Sequence, residues 1–263
     1  MSNIYQFTVE EAIETAERPP PTGARASRRP GSRGDWAGES FEESMRMARE
    51  GDPESALAVK KAFGVLAKIR YSSRPSMKFS ETGSVMDVGR FLDGDPECMI
   101  EVRRRRKPMP VLRIGVERSI GSRVDADEIR ATGGSVMAVV EALRTAGAAA
   151  EVWVTYSQGA KEIISCQVLV QEAGRPMNIE RLAFWIANPG AFRRVGFAIE
   201  EQQPESVRVK CGITERQSYG YPTTPPNAEF FDEVAPSNSW AVEAWIKDVM
   251  QRRVGIEIEG TDM

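Results

Sequence analysis

The chain has 263 residues, 41% of them hydrophobic, and a formal net charge of −3. This composition is enough for a sizeable core in one large or two small domains, and the small net charge carries no global signature of nucleic-acid binding. The chain contains no histidine, which excludes Ser-His-Asp and Cys-His nucleophiles and histidine-liganded zinc or iron.

The cysteine pattern predicts a reducing environment. Cys98, Cys166 and Cys211 are far apart in sequence and form no Cys-x-x-Cys motif, so we expect buried free thiols in the cytoplasm and no cysteine metal cluster. The first residues lack the basic start and the apolar run of a signal peptide. Glu141 and Arg144 interrupt the most apolar stretch, so we expect no membrane-spanning helix.

Residues 1–35 are predicted to form a mobile arm with one short helix. Thr8 and Glu11 make a capping box that opens a helix to about Glu17. Residues 18–34, RPPPTGARASRRPGSRG, contain five arginines and no acid among many prolines and glycines, a composition typical of flexible linkers. Two interpretations stay open: a solvated tether, or an arm that binds phosphates or an acidic protein. The arginines assigned to the second role are Arg25, Arg28, Arg29 and Arg33.

Residues 36–96 are predicted to be a helical segment. Ser40 begins a second capping box, and Asp52 precedes a proline that suits the first position of the next helix. A further short helix is predicted over 84–92. The side chains that we expect to face inward from it are Val88, Phe91 and Leu92.

Residues 97–263 are predicted to form one α/β domain that begins with an antiparallel hairpin. Its strands, 98–104 and 111–117, flank a basic tip. Charges at such a tip are usually solvated and block edge pairing. The alternative is specific binding to phosphates. The tip residues are Arg103, Arg104, Arg105, Arg106 and Lys107.

The centre of this domain is the stretch from Pro110 to Ser157. Residues 111–117 alternate between two faces and EVWVTYS at 151–157 is rich in β-branched and aromatic residues, so both indicate strands. The helix between them has one apolar face, formed by Ile129, Gly133, Val136, Val140 and Leu143. We expect Gly133 and Gly134 to allow close approach to a sheet.

A strand, a crossover helix and a second strand predict a right-handed parallel unit. Ligands of such sheets bind past the carboxyl end of a strand, which here is the loop 117–123. The remaining chain is predicted to complete the sheet, with strands over 163–171, 197–199, 207–213 and 254–258 and helices that begin after Asn178 and Ser239. A long aromatic loop over 217–237 either binds a partner or lies over the sheet.

The loop after the first strand of this unit resembles the metal-site motif of von Willebrand factor A domains, Asp-x-Ser-x-Ser. This chain has Glu117-x-Ser119-x-Gly121, with Ser122 beside the glycine. The following helix and the EVWVTYS strand also resemble the next pieces of that fold, so that the likeness covers about 111–210. It implies an α/β fold with a Rossmann-like mixed sheet, to which we add the hairpin and an N-terminal helical segment.

A von Willebrand A-type site would hold Mg²⁺ through hydroxyl and carboxylate oxygens. In this chain glutamate replaces the aspartate, glycine replaces the second serine, and two arginines add positive charge. We therefore expect no metal, and a loop that suits an anion or an acidic residue of a protein partner. The predicted binding residues are Glu117, Arg118, Ser119, Ser122 and Arg123.

The whole chain also resembles uncharacterised proteins of tailed phages and proteobacteria. The stretches that carry this likeness are WAGESFEESMRMAREG, DVGRFLDGDPECMIE and AFRRVGFAIEE. No activity is implied by it. It implies the cytoplasm of a bacterial host cell if the protein is phage-encoded, and leaves association with a virion open.

Three functional hypotheses remain. The first is a non-catalytic scaffold or adaptor that binds a protein partner, without a cofactor and away from membranes. The alternative is a nucleic-acid-binding protein in a phage DNA transaction, through the arginine-rich arm and the hairpin tip. The third is an enzyme whose carboxylates gather around Mg²⁺, although their spacing predicts no convergence; these are Glu117, Asp125, Asp127 and Asp232. We adopt the first and leave the oligomeric state open.

Overall fold

The computed structural model describes residues 2–21, 26–28, 38–57, 59, 76–103, 111–121, 124–145, 149–159, 162–213, 221–236 and 239–254. The chain divides into two compact units. The larger consists of Met1–Lys68 and Pro110–Met263, and the smaller of Ile69–Met109.

In chain order the strands are β1 (Ser2–Thr8), β2 (Ser76–Ser80), β3 (Val85–Met86), β4 (Met99–Arg103), β5 (Val111–Glu117), β6 (Ala149–Gly159), β7 (Ile163–Gln171), β8 (Tyr221–Pro222) and β9 (Glu233–Ala235). The helices are α1 (Val9–Glu17), α2 (Phe41–Glu50), α3 (Val88–Leu92), α4 (Ala126–Thr145), α5 (Ile179–Ala187), α6 (Phe197–Glu201), α7 (Glu205–Cys211) and α8 (Ser239–Val249). Residues 53–57 are also helical. Two π-helical turns are Ala191–Gly196 and Met250–Val254.

The larger unit is built on a mixed sheet with the order β1-β7-β6-β5-β9, in which β8 also pairs with β6. The pairs β1–β7, β5–β6 and β5–β9 are parallel, whereas β6 is antiparallel to β7 and β8. This confirms the predicted α/β fold with a Rossmann-like mixed sheet. The predicted parallel unit at its centre is β5–α4–β6, and the predicted strand over 163–171 is β7.

Helical segments cover one face of the sheet. Alternate residues of β5, namely Leu112, Ile114 and Val116, are buried, as a strand with one apolar face requires. On β6, Tyr156 stacks on Phe192 of the first π-helical turn, with ring centroids 5.6 Å apart. This face therefore holds the apolar core between sheet and helices.

The segment between β8 and β9 covers the other face. Phe230 meets Trp153 edge to face at 5.8 Å, and a Cβ at Gly115 would come within 2.9 Å of the Phe231 ring. The described part of the long aromatic loop thus lies over the sheet, which is one of its two interpretations. Trp153 is buried there, with its Nε1 donating to Glu151.

The amino terminus needs a correction. Residues 2–17 were assigned to a mobile arm, but they form β1 and α1 of the larger unit. Asn3, Tyr5 and Phe7 alternate with more exposed positions, which is the pattern of a strand. The capping box that follows it in sequence had drawn the prediction towards a helix alone. That capping box is present at Thr8 and Glu11.

The smaller unit contains a three-stranded antiparallel sheet with the order β2-β4-β3. The expected antiparallel partner of residues 98–104 was β5, whereas β4 pairs with β2 and β3 and β5 lies in the main sheet. A second expectation fails on α3, whose apolar face was predicted to point inward. Its side chains Val88, Phe91 and Leu92 are exposed.

Two predicted strands are helical. Residues 197–199 belong to α6, and residues 207–211 to α7. The alternation Val-Arg-Val-Lys-Cys suits a strand, but Arg208 and Cys211, three positions apart, are the buried ones, which is helical spacing. The chain from 250 to 254 is a π-helical turn, and the rest of the predicted last strand lies outside the described residues.

Candidate functional site at the carboxyl end of β5

The segment that follows β5 continues along β6. The Arg118 amide donates to the Thr155 carbonyl at 2.9 Å, and the Ser119 hydroxyl accepts from the Ser157 amide. Ser119 is buried. Its hydroxyl therefore serves to clamp the start of the loop to the neighbouring strand.

The Arg118 side chain turns into the core instead of facing solvent. It is 2% exposed, and its Nη2 donates to the Ile129 carbonyl in α4 at 3.3 Å. Burial lowers its pKa to about 10; nearby Tyr156 opposes this shift and Arg193 adds to it. Among the described residues its Nη1 has no hydrogen-bond partner.

Arg193, from the π-helical turn, holds the other part of the loop. Its Nη2 donates to the carbonyls of Gly121 at 3.2 Å and Val124 at 2.7 Å. The side chain is buried, and burial lowers its pKa to about 10 against the opposing effect of Asp125. Because one guanidinium joins the two ends of the 121–124 stretch, the loop is braced from within.

Glu117 is the acidic end of the strand. It is half-buried, and burial raises its pKa to about 7. At neutral pH a carboxyl group with this pKa is protonated in about half of the molecules. Ser122 and Arg123, the other two predicted binding residues, lie outside the described residues.

Two described residues of this loop carry oxygens that a Mg²⁺ ion could use, Glu117 and Ser119. Ser119 is buried and its hydroxyl accepts from the Ser157 amide, whereas hard cations require several converging oxygens. Within the described ranges no group of three or more acidic or cysteine side chains converges on one point.

The other carboxylates of the enzyme hypothesis have structural partners. Asp125 accepts from the Glu128 amide at 2.8 Å and so caps α4, while Asp127 pairs with Arg130. Asp232 accepts from the Arg113 amide near the start of β5, about 13 Å along the strand from Glu117 at about 3.3 Å per residue.

The residues of the nucleic-acid hypothesis are only partly placed. Arg28 donates to the carbonyls of Ala16, Glu17 and Arg18 at the end of α1, and its guanidinium lies 4.5 Å from the centre of the Phe41 ring. It thus closes the carboxyl end of a helix. Arg103 ends β4. The candidates outside the described residues are Arg25, Arg29, Arg33, Arg104, Arg105, Arg106 and Lys107.

Sequence reasoning missed a polar cluster behind the loop. Glu200 is fully buried and its Oε2 accepts from Gln158 at 2.6 Å. Burial raises its pKa to about 8, and Glu201 adds to this shift. Burial also raises the pKa of Tyr156. The sequence signal for buried charges was in AFRRVGFAIEE. In this stretch charged residues interrupt an apolar run, and a helix that buries the run buries some of these charges with it.

The stretch AFRRVGFAIEE also holds the 26–28 turn against the rest of the larger unit. Arg194 donates to the carbonyls of Glu39 and Ser27 at 3.1 and 3.0 Å, and Glu201 accepts from the Ser27 amide and hydroxyl. Arg193 and Arg194 thus both bind backbone carbonyls of segments distant in sequence.

Comparison with known proteins identifies a family. The sequence model of a family described as "Domain of unknown function (DUF7192)" matches residues 7–255. No curated protein and no solved structure matches the chain. Within the described residues no helix has the length and apolar character needed to cross a membrane. The chain therefore belongs to the family described as a domain of unknown function (DUF7192).

Proposed function

We propose that this protein is a non-catalytic scaffold or adaptor of phage type, and that the loop after β5 is part of the surface with which it binds a protein partner. The observation that carries the proposal is the internal bracing of that loop. Ser119, Arg118 and Arg193 are all buried and bonded to backbone groups. Side chains used in this way hold the described part of the loop in place, which favours recognition because less order has to be gained on binding.

The von Willebrand A-like resemblance enters this proposal as a degenerate site. The strand end, Glu117-x-Ser119-x-Gly121, keeps the place of the metal loop, while its side chains serve internal contacts. In this interpretation the loop binds a partner at the place where such sheets bind their ligands, and it does so without a metal ion.

The burial of Arg118 changes the expected chemistry of the partner. An anion or an acidic partner residue was expected because arginines flank the motif, but Arg118 turns inward and is not available to it. The exposed residues that begin α4 include Asp125 and Asp127. A basic or hydrogen-bond-donating partner surface therefore suits this rim better.

Site-specific photo-crosslinking tests the proposal. A side chain at Gly121 meets no atom within 4 Å of its Cβ, so a photoreactive phenylalanine analogue can replace this residue without strain. The same analogue at exposed Ser206 of α7 is the matched control. Both chains are irradiated in extracts of native or infected cells, with and without nuclease.

We expect one protein to be crosslinked from position 121 and not from position 206, whether or not nuclease is present. Identical adducts from both positions would contradict a binding role for the loop. Loss of the adduct after nuclease treatment would favour the nucleic-acid alternative, which otherwise stays a prediction.

A further inference from the structure

The smaller unit has a group of exposed apolar side chains on β3 and α3. Five large hydrophobic side chains within eight residues are exposed by 45–77%. We call them the 85–92 strip: Val85, Met86, Val88, Phe91 and Leu92. Single exposed hydrophobic residues are common on proteins, whereas a contiguous group of them marks an interaction site.

The spacing of the strip is typical of an apolar face that packs against another element or another protein. Val88, Phe91 and Leu92 lie at positions i, i+3 and i+4 of α3, so they share one helical face. That spacing is the one by which a helix buries its apolar side. Val85 and Met86 belong to β3, which forms an edge of the three-stranded sheet; because successive side chains of a strand point to opposite faces, only one of the two can share a face with the α3 side chains.

Acidic residues outnumber basic ones in the sequence around the strip, and we call the exposed ones its acidic rim. From 78 to 100 the sequence has five acids and two bases. One base, Arg90, is paired with Asp95 at 3.0 Å and lies over the Phe79 ring at 3.7 Å, so its charge is already matched. Glu81, Asp93 and Glu97 are exposed. An apolar surface with an acidic rim is complementary to a segment that combines apolar and basic residues.

We infer that the 85–92 strip is a docking surface for a basic amphipathic segment of a partner protein. The apolar side chains of that segment cover the strip, and its lysines or arginines meet the acidic rim. This inference rests on the proposed function and gives it a second surface, in the smaller unit. It also gives a role to DVGRFLDGDPECMIE, a stretch that contains most of the strip and much of its rim.

The inference is tested with the full chain and a fluorescein-labelled peptide in which leucines recur at helical spacing among lysines. A scrambled peptide of the same composition and a peptide with glutamate for lysine are the probe controls. Leu92→Ser removes the most exposed member of the strip, at 77% exposed, so the change leaves the fold intact. Val209→Ser, at a 57% exposed apolar position of α7, is the matched control.

We expect saturable binding of the leucine-lysine peptide alone, weakened about tenfold or more by Leu92→Ser and unchanged by Val209→Ser. Asp93→Asn combined with Glu97→Gln should weaken binding and reduce its dependence on salt. Equal binding of the glutamate peptide, or by the Leu92→Ser chain, would overturn the inference.

Two other occupants have distinct outcomes. Self-association of the free chain that Leu92→Ser abolishes would assign the strip to a second copy. Binding of the peptide only after residues 104–107 are replaced by serine would assign it to the chain's own basic run. Either result overturns the inference, while a crosslink from position 121 would still support the proposed function.

Discussion

Buried arginines hold the loops of this protein together. Arg193 and Arg194 each donate to backbone carbonyls of segments distant in sequence, and Arg118 donates to a carbonyl of the helix that follows it. Burial of a charge is costly unless it is hydrogen-bonded, and the guanidinium offers five donors in a planar arrangement. These residues therefore act as cross-braces behind the candidate surface.

The bracing by Arg193 gives the first prediction. Lysine keeps the charge but lacks the planar group that reaches both Gly121 and Val124. We expect Arg193→Lys to lower the free energy of unfolding by about 1–3 kcal/mol, measured by urea denaturation. The control is Arg175→Lys, at an exposed position where the side chain pairs with Glu172; this change should alter the free energy of unfolding by less than about 0.5 kcal/mol. Equal effects of the two changes would contradict the bracing role.

Glu200 gives a prediction about pH. Burial raises its pKa from 4.5 to about 8, so between these values the folded chain keeps a proton that the unfolded chain has released. Stability must then fall as the pH rises through this window and level off above it. The pKa of Glu117 is raised as well, so the contribution of Glu200 must be separated from it by a variant of Glu200.

The variant is Glu200→Gln, which has no titrating proton and still offers an acceptor to Gln158. Relative to it, the wild-type chain should lose at least about 1.4 kcal/mol of stability between pH 5 and pH 8, the equivalent of one pKa unit. Urea unfolding at three pH values measures this difference, and Glu205→Gln, at an exposed position of α7, is the control. Parallel pH profiles for wild type and Glu200→Gln would contradict the buried, protonated state.

At the scale of elements, hydrophobic periodicity decided what could be predicted. β5, α4, β6 and β7 were predictable because their apolar residues recur at two- or three-to-four-residue spacing. α7 was not, because its short alternating stretch fits both periods. β1 was missed although Tyr5 and Phe7 alternate with exposed positions, because polar Asn3 shares their face and apolar Ile4 lies on the exposed one, which blurs the apolar alternation.

Contact between α4 and α5 depends on Gly133. A Cβ at this position would lie 2.5 Å from the Ala187 Cα and from the Ile186 carbonyl oxygen. Close approach was expected towards a sheet, whereas the neighbour is a helix. Gly133→Ala should therefore destabilise the protein by about 1–3 kcal/mol through overpacking, despite the better helix propensity of alanine.

Thermal or urea unfolding measures this effect. The matched change is Gly121→Ala, whose added methyl group meets no atom within 4 Å, and we expect it to alter stability by less than about 0.5 kcal/mol. A stabilising effect of Gly133→Ala would mean that the two helices are farther apart than described here.

At the scale of the whole molecule, the strand–helix–strand unit that defines the candidate loop was predictable, and most of the contacts of that loop were not. A parallel strand–helix–strand unit puts recognition at the carboxyl end of its strand, which is where the braced loop lies. The inward turn of Arg118 had a signal, since residues 112, 114, 116 and 118 share one face of an extended chain. The burial of Arg193 and Glu200 had a signal in the charged residues that interrupt AFRRVGFAIEE, but their partners had none, because Gly121 and Gln158 lie 72 and 42 residues away in sequence.

Exposure of the 85–92 strip was equally beyond sequence reasoning. An i, i+3, i+4 apolar face predicts that something covers the helix, without distinguishing the chain's own core from a partner. In the structure these side chains lie at the surface. The larger and smaller units thus each supply one candidate surface, the braced loop and the strip.

The central claim is that the loop after β5 is part of a surface that binds a protein partner. Its most direct test is a binding titration with the partner that crosslinking identifies, purified in its free form. This partner is titrated against the wild-type chain, Gly121→Trp and Ser206→Trp. Both tryptophans are placed where the fold accommodates them. We predict that Gly121→Trp raises the Kd about tenfold or more while Ser206→Trp leaves it unchanged; equal Kd values for all three chains would contradict the claim.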